Sequence, residues 1–286
     1  MSNWTRLKHS LLLLPLTTAL LTGCMTFQVS EKQLLMPDKT ITASNIAATA
    51  PGYQLRELQL TAADGIRLYG QLFTHPDARV SVLYFGGNNF RIQQSNRYLL
   101  EHYSKLGVNL MLVDHRGYGA SEGDPSIETL FRDGVAAFDR IKQELPNQPV
   151  IVHGFSLGSF IAGHVAKQRP VDALILEGSA TNAEDWADAT TPFIAKPFIS
   201  VEIEPKLLAI NNKDNLTSLR APVLIVVGEN DSQTPPSLAK KLYAEATQAR
   251  YRNYVEVPDL GHFSALRTTE FGKAFVALRE QLSGVN

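Results

Sequence analysis

From about residue 53 onward, short apolar runs alternate with stretches whose apolar residues recur every three or four positions. The runs at 80–85, 109–113, 150–155, 173–176 and 223–227, with a weaker one at 254–257, have the length and continuity of strands buried on both faces. The stretches near 91–106, 126–144, 157–168, 236–248 and 264–282 have the spacing of amphipathic helices. Ahead of them, Leu55, Leu58 and Leu60 and then Ile66, Leu68, Gly70 and Leu72 predict two strands joined at Asp64-Gly65, a dipeptide that favours a hairpin turn. Strand–helix alternation of this kind predicts an α/β fold, a mainly parallel sheet with helices on both faces.

The first fifty residues are of another kind. Arg6 and Lys8 precede an apolar run at 11–21, and no acidic residue occurs before Glu31. The run is shorter than the roughly 20 residues that span a bilayer, and it fits the hydrophobic region of an export signal. It ends Leu21-Thr22-Gly23-Cys24, which resembles the lipobox of bacterial lipoproteins. That resemblance implies cleavage before Cys24 and lipidation of its thiol; the alternative is an ordinary cleaved signal with an incidental cysteine. Cys24 is the one cysteine in the chain, so no internal disulfide can form. Residues 24–50, rich in Ala, Thr, Ser and Asn, read as a tether standing the domain off the membrane, with 33–37 as a piece able to pack on its surface. Residues 51–286 then form one domain. Met25 rather than Asp after the cysteine resembles lipoproteins sent to the outer membrane, implying a lipid-anchored envelope protein facing the periplasm.

Composition narrows the partners. The chain has 286 residues, 44% hydrophobic and 19% charged, enough for a large core without disulfides. Its formal charge is −1; removing residues 1–23 takes away two basic residues and no acidic one, leaving 25 basic and 28 acidic side chains, a net −3. With no basic surplus to hold a phosphate backbone, nucleic acid is not an expected partner. No His-Glu-x-x-His and no cysteine-rich set provides a metal site, and no cofactor is expected. Gly117-Tyr118-Gly119 is not a dinucleotide fingerprint, because Glu122 stands where the third glycine belongs.

Candidate chemistry begins at the end of the run 150–155. Gly154-Phe155-Ser156-Leu157-Gly158 is Gly-x-Ser-x-Gly between a predicted strand and a predicted helix. So sharp a turn needs small neighbours for its serine, and it sets Ser156 at a helix N-terminus, where the dipole favours developing negative charge. A serine hydroxyl needs a base to become nucleophilic. Of seven histidines, His9 lies in the signal, His75 and His102 in surface-like contexts, His115 in a loop, His153 inside a strand and His164 well along the helix after Ser156. His262 follows the last strand on a loop able to return to the sheet edge, and is the candidate base. Between serine and histidine, Gly228-Glu229-Asn230-Asp231 follows the run 223–227. Asp231 is the preferred orienting acid, with Glu229 as its rival.

These segments together resemble the α/β-hydrolase superfamily over most of residues 53–286. The stretch Asp114-His115-Arg116-Gly117-Tyr118-Gly119-Ala120-Ser121-Glu122-Gly123 looks like that of the branch holding serine aminopeptidase-like, ABHD-type and Bem46-like proteins, with His115 in place of the usual tyrosine. Asp114 and Arg116 read as structural, pinning a glycine-rich loop. The resemblance implies an eight-stranded sheet, a short cap at about 178–221, and an oxyanion hole. Where the branch usually reads His-Gly-Asn, this chain reads Gly86-Gly87-Asn88, so the expected donors are the backbone N–H groups of Asn88 and Leu157. The cap carries Trp186, Phe193, Ile194, Phe198 and Ile199, which would suit a greasy acyl substrate or simply pack the cap down. The expected activity is hydrolysis of a carboxylic ester or thioester through an acyl-serine. The alternatives are an aminopeptidase-like amide hydrolase and a non-catalytic envelope protein that binds through the same cleft.

Overall fold

The computed structural model describes residues 25–39, 48–263 and 265–282. The chain runs β1 (Met25–Val29), α1 (Glu31–Leu34), β2 (Gln54–Thr61), β3 (Arg67–Thr74), β4 (Ser81–Phe85), α2 (Ile92–Lys105), β5 (Asn109–Val113), α3 (Ile127–Glu144), β6 (Val150–Phe155) and α4 (Leu157–Gln168). It continues β7 (Ala173–Glu177), α5 (Ala183–Thr190), β8 (Ile199–Ile203), a 3-10 turn (Pro205–Ala209), α6 (Asn212–Thr217), β9 (Val223–Gly228), α7 (Pro236–Glu245), β10 (Arg252–Val257), a second 3-10 turn (Ala265–Arg267) and α8 (Thr269–Arg279). Eight strands form one sheet in the order β10-β9-β7-β6-β4-β5-β3-β2. Its strands pair in parallel except at β3, which lies antiparallel to both β2 and β5.

Every residue of β4, β5, β7 and β9 is buried, which is why these runs show no polar alternation. Leu83 and Phe85 of β4 and Leu174 and Leu176 of β7 belong to one apolar layer with Phe138 of α3, Ile161 of α4 and Leu242 of α7. Their chain neighbours Val82, Tyr84 and Ile175 belong to the opposite layer with Leu99 and Tyr103 of α2 and Phe271 and Phe275 of α8. At the sheet edge, β2 buries only Leu58 and Leu60 and keeps Arg56 and Glu57 in solvent, which blunts the edge against further pairing.

The helix expected over 264–282 is divided. Thr268 accepts the Phe271 N–H as an N-cap, so α8 starts at Thr269 behind a separate 3-10 turn. The insert expected at 178–221 carries α5, β8, the first 3-10 turn and α6.

The tether expected over 24–50 needs correction in its described part. β1 pairs in parallel with β8 of the insert, from Met25↔Ile199 to Val29↔Ile203. Leu35 is buried, Val29 and Leu34 pack against the core, and Glu31 accepts the Ile127 N–H at 2.6 Å. Residues 25–39 are therefore a strap laid across the domain. Val29, Leu34 and Leu35 find core surface, and β8 offers β1 an unpaired edge. The small polar residues that suggested a spacer fall mainly within 40–50. The signal at 1–23, Cys24 and residues 40–47 lie outside the described residues. Among the described residues, no helix is long and apolar enough to cross a membrane.

Candidate active site

β6 ends at Phe155 and α4 begins at Leu157, so Ser156 alone makes the turn, with φ 52° and ψ −120°. A left-handed φ on a residue with a side chain costs on the order of 1–3 kcal/mol and persists only where the surroundings hold it. Here the Ser156 N–H donates to the Glu177 carbonyl at 2.9 Å, and the Ser156 carbonyl accepts the Ser159 N–H at 2.9 Å. A Cβ on Gly154 would strike the Gly158 carbonyl, and one on Gly158 would strike the Phe85 carbonyl. Both glycines of the motif are thus required by backbone contact.

The structure brings Ser156, His262 and Asp231 together from three segments. His262 Nε2 lies 3.0 Å from Ser156 Oγ, and His262 Nδ1 lies 2.8 Å from Asp231 Oδ2. Asp231 is buried and well supplied with donors: Oδ1 accepts the N–H groups of Gln233 at 2.9 Å and Thr234 at 2.8 Å, and Oδ2 also accepts the Thr234 hydroxyl at 2.8 Å. Burial, the largest influence, pushes this carboxyl up. The hydrogen bonds from His262 and Thr234 outweigh it and hold Asp231 below its ordinary value. An ionised Asp231 assigns the imidazole proton to Nδ1, which leaves Nε2 as the acceptor facing the serine hydroxyl.

Glu229, the rival acid, does not reach the imidazole. Its Oε2 accepts the Asp259 N–H at 3.0 Å and so steadies the loop that carries His262. Asn230 N–H donates to the Leu260 carbonyl at 2.8 Å, and a Cβ on Gly228 would collide with the Leu260 and Gly261 carbonyls. The acid loop and the histidine loop are laced backbone to backbone. The other described histidines serve elsewhere: His153 is buried against the Tyr103 hydroxyl, and His164 stacks on Phe131.

Asn88 and Leu157 both border the same cavity as Ser156. Among the described residues, neither backbone N–H has an acceptor, so both donors are free. The loop before Asn88 is tied down, because His115 Nε2–H donates to the Gly86 carbonyl at 2.8 Å. Asp114 accepts the N–H groups of Ile92 at 2.7 Å and Ala120 at 2.9 Å, and Arg116 forks onto Asp133 and Asp64. These are the pinning contacts expected of the glycine-rich stretch.

Two contributors had not been singled out in the sequence. Thr234 holds Asp231 twice, and its signal was a threonine three residues after an aspartate in a loop. Glu177 closes β7, and its Oε1 accepts the Ala265 N–H at 2.8 Å just beyond His262. Its signal was a charged residue ending an otherwise apolar run.

The cavity beside Ser156 has a volume of about 510 Å³. Of the cap residues expected to roof it, only Trp186 lines it, whereas Phe193, Ile194 and Phe198 are 85%, 82% and 60% exposed. Leu207 and Ile210 of the insert and Val29, Leu34 and Met36 of the strap share its apolar wall with Leu99, Phe155, Phe160 and Leu266 of the main domain. Among the described residues, no group of three or more His, Cys, Asp or Glu side chains is placed to hold a metal ion.

A strand–serine–helix turn facing a histidine and an aspartate on later sheet loops defines a class of hydrolases, and the comparisons agree. A family model described as serine aminopeptidase, S33, matches residues 76–210. The alpha/beta hydrolase domain-containing protein WAV2 of Arabidopsis thaliana is 31% identical over 221 residues, covering 72% of this chain and 71% of its own. Lysophosphatidylserine lipase ABHD12 of Danio rerio is 30% identical over 236 residues, covering 76% of this chain and 59% of its own. A solved esterase of Pyrococcus furiosus superposes with a TM-score of 0.68 over 88% of this chain and 99% of its own, at 16% identity, a likeness of fold alone. The chain belongs to the α/β-hydrolase family.

Proposed function

We propose that this hydrolase is a serine esterase cleaving a carboxylic ester or thioester of an apolar acyl group. The observation that carries this reading is the hydrogen-bonded line from Asp231 through His262 to Ser156, ending at the wall of an apolar cavity. In the proposed reaction Ser156 Oγ attacks the acyl carbonyl carbon while His262 Nε2 takes the hydroxyl proton. The oxygen that becomes negative is met by the N–H groups of Asn88 and Leu157. Collapse breaks the bond to the leaving alcohol or thiol, which departs with the proton from His262. Water, deprotonated by the same nitrogen, then attacks the acyl-serine, releases the acid and restores the hydroxyl.

An aminopeptidase would need an anion in the cavity to hold a free ammonium. Glu177 is the one acidic residue lining it among those described, and its oxygens are engaged by the Ala265 N–H and stand beside His153 at 3.1 Å. That favours esters over aminoacyl amides, as does the name lipase carried by a relative 30% identical to this chain. The Leu21-Thr22-Gly23-Cys24 stretch further supports anchoring through Cys24 to a bacterial membrane, with the domain on the periplasmic side of the outer membrane.

The test is a p-nitrophenyl ester series from acetate to dodecanoate, run beside aminoacyl p-nitroanilides on wild type and Ser156→Ala. Each methylene that the cavity encloses contributes about 0.8 kcal/mol, so kcat/KM should rise through short and medium chains and then level. Ser156-dependent cleavage of the amides alone would move the assignment to a peptidase.

A further inference from the structure

Asn88 sits in the loop between β4 and α2, beside the nucleophile: a Cβ on Gly87 would lie 3.3 Å from Ser156 Cβ. The side chain of Asn88 is spent away from the cavity. Its Nδ2 donates to the Leu34 carbonyl, while its Oδ1 accepts the Met36 N–H at 3.1 Å and the Tyr118 hydroxyl at 2.7 Å. Two of these three bonds go to the backbone of the strap, so the Asn88 side chain is paired to residues 34–36 much as one strand is paired to another.

The strap itself is held independently of Asn88. The Asp38 carbonyl accepts the Gly119 N–H at 2.9 Å, and the Asp38 carboxylate pairs with Arg91 at the start of α2. The Glu31 carboxylate accepts the Ile127 N–H, and Leu35 is 5% exposed. From this fixed position Val29, Leu34 and Met36 form part of the cavity wall.

We propose that the strap at residues 25–39 is a working part of the active site, in which Asn88 is a positioning residue that aims the oxyanion loop and Val29 and Leu34 limit acyl-chain length. The inference rests on the esterase reading and deepens it. A backbone N–H stabilises an oxyanion only if it is aimed before charge develops. At Asn88 the peptide that must be aimed belongs to the residue whose side chain the strap grips. Loosening that grip costs transition-state stabilisation and leaves ground-state binding of a small ester almost unchanged, which appears as lower kcat at nearly constant KM.

The test uses the full chain with p-nitrophenyl acetate and octanoate, with folding checked by circular dichroism and thermal melting. Asn88→Ala should lower kcat for acetate about 10- to 100-fold, less than deletion of a donor itself would, with KM within about threefold. Its reaction with a fluorophosphonate should slow in parallel, because the phosphonyl oxygen takes the same donors. Tyr118→Phe, which spares both bonds from the Asn88 side chain to the strap but removes the one that the Tyr118 hydroxyl itself accepts from the Met36 N–H at 3.0 Å, should slow both reactions by less and supplies the measurement if Asn88→Ala does not fold. Val29→Phe should lower the octanoate-to-acetate ratio of kcat/KM at least about tenfold, and Leu34→Ala should raise that ratio. A folded Asn88→Ala with kcat and labelling rate within about twofold of wild type would overturn the positioning role. An unchanged chain-length profile in both Val29→Phe and Leu34→Ala would overturn the wall. If wild type labels at Ser156 but turns over no ester, the esterase reading fails instead, and the labelling rates still decide the role of Asn88.

Discussion

Glu229 and Asp231 stand two residues apart in one loop and grip the His262 loop at different points, Asp231 on the imidazole at 2.8 Å and Glu229 on the Asp259 N–H at 3.0 Å. One contact orients a proton acceptor; the other holds a backbone turn in which Asp259 has a φ of 57°. Substitutions should separate the two. Asp231→Asn is expected to lower kcat on the order of 10⁴, by putting the imidazole in the wrong tautomer. Glu229→Gln still presents an oxygen to Asp259 and should keep kcat within about threefold and stability within about 1 kcal/mol. Steady-state kinetics on both variants checks this; the reverse pattern would transfer the acid role to Glu229.

Ser156 is held in a conformation that suits its chemistry better than its stability. Glycine adopts a positive φ freely and alanine does not. Both Ser156→Gly and Ser156→Ala should be inactive, yet Ser156→Gly should be the more stable of the two by about 1 kcal/mol. Urea unfolding of the pair measures it, and an alanine variant at least as stable as the glycine variant would remove the case for a strained nucleophile turn.

The site was legible where its geometry is local. Gly154 and Gly158 announce a backbone contact that nothing but glycine permits, and continuous burial of β4, β5, β7 and β9 writes itself as unbroken apolar runs. Asp231 and His262 were found because each follows a recognisable strand in a fixed chain order. Of the strap, only the packing of 33–37 was legible, and Leu34 and Leu35 do pack on the core; β1 was not, since it joins β8 across 174 residues and Met-Thr-Phe-Gln-Val carries too short a pattern to announce a partner. Hydrophobicity alone also misplaced Phe193, Ile194 and Phe198, because composition does not say which way a side chain points. The Asn88 side chain had no reading at all until its strap partners were in place.

Asp114 gives a pH dependence with a definite sign. Burial pushes its carboxyl up to about 6, against the lowering hydrogen bonds of Ala120 and Ile92. The folded state therefore keeps this proton over a range where the unfolded chain has lost it, so the Asp114 contribution to stability falls as pH rises from about 4 to about 6. Two pKa units correspond to about 3 kcal/mol. Relative to wild type, Asp114→Asn should gain about that much stability between pH 4 and pH 7. Denaturant unfolding of both proteins at several pH values reads the difference, and a difference that does not move with pH would contradict the buried-acid account.

The anchoring proposal concerns Cys24. Expressed in a Gram-negative host, the wild-type chain should be processed and fractionate with the outer membrane, while Cys24→Ala should accumulate as unprocessed precursor. Mass spectrometry of the N-terminus distinguishes the two. A mature, soluble product from Cys24→Ala would point to an ordinary cleaved signal.

The most direct measurement is covalent labelling of the full chain by a fluorophosphonate at neutral pH, with the adduct located by peptide mass spectrometry. Only a serine whose proton has an acceptor at hand reacts readily, and His262 Nε2 stands 3.0 Å from Ser156 Oγ. The account predicts one adduct, on Ser156, formed rapidly in wild type, slowly in His262→Ala and not at all in Ser156→Ala. A folded wild-type chain that does not label, or labels equally after Ser156→Ala, would contradict it and favour a protein that uses the cleft for binding alone.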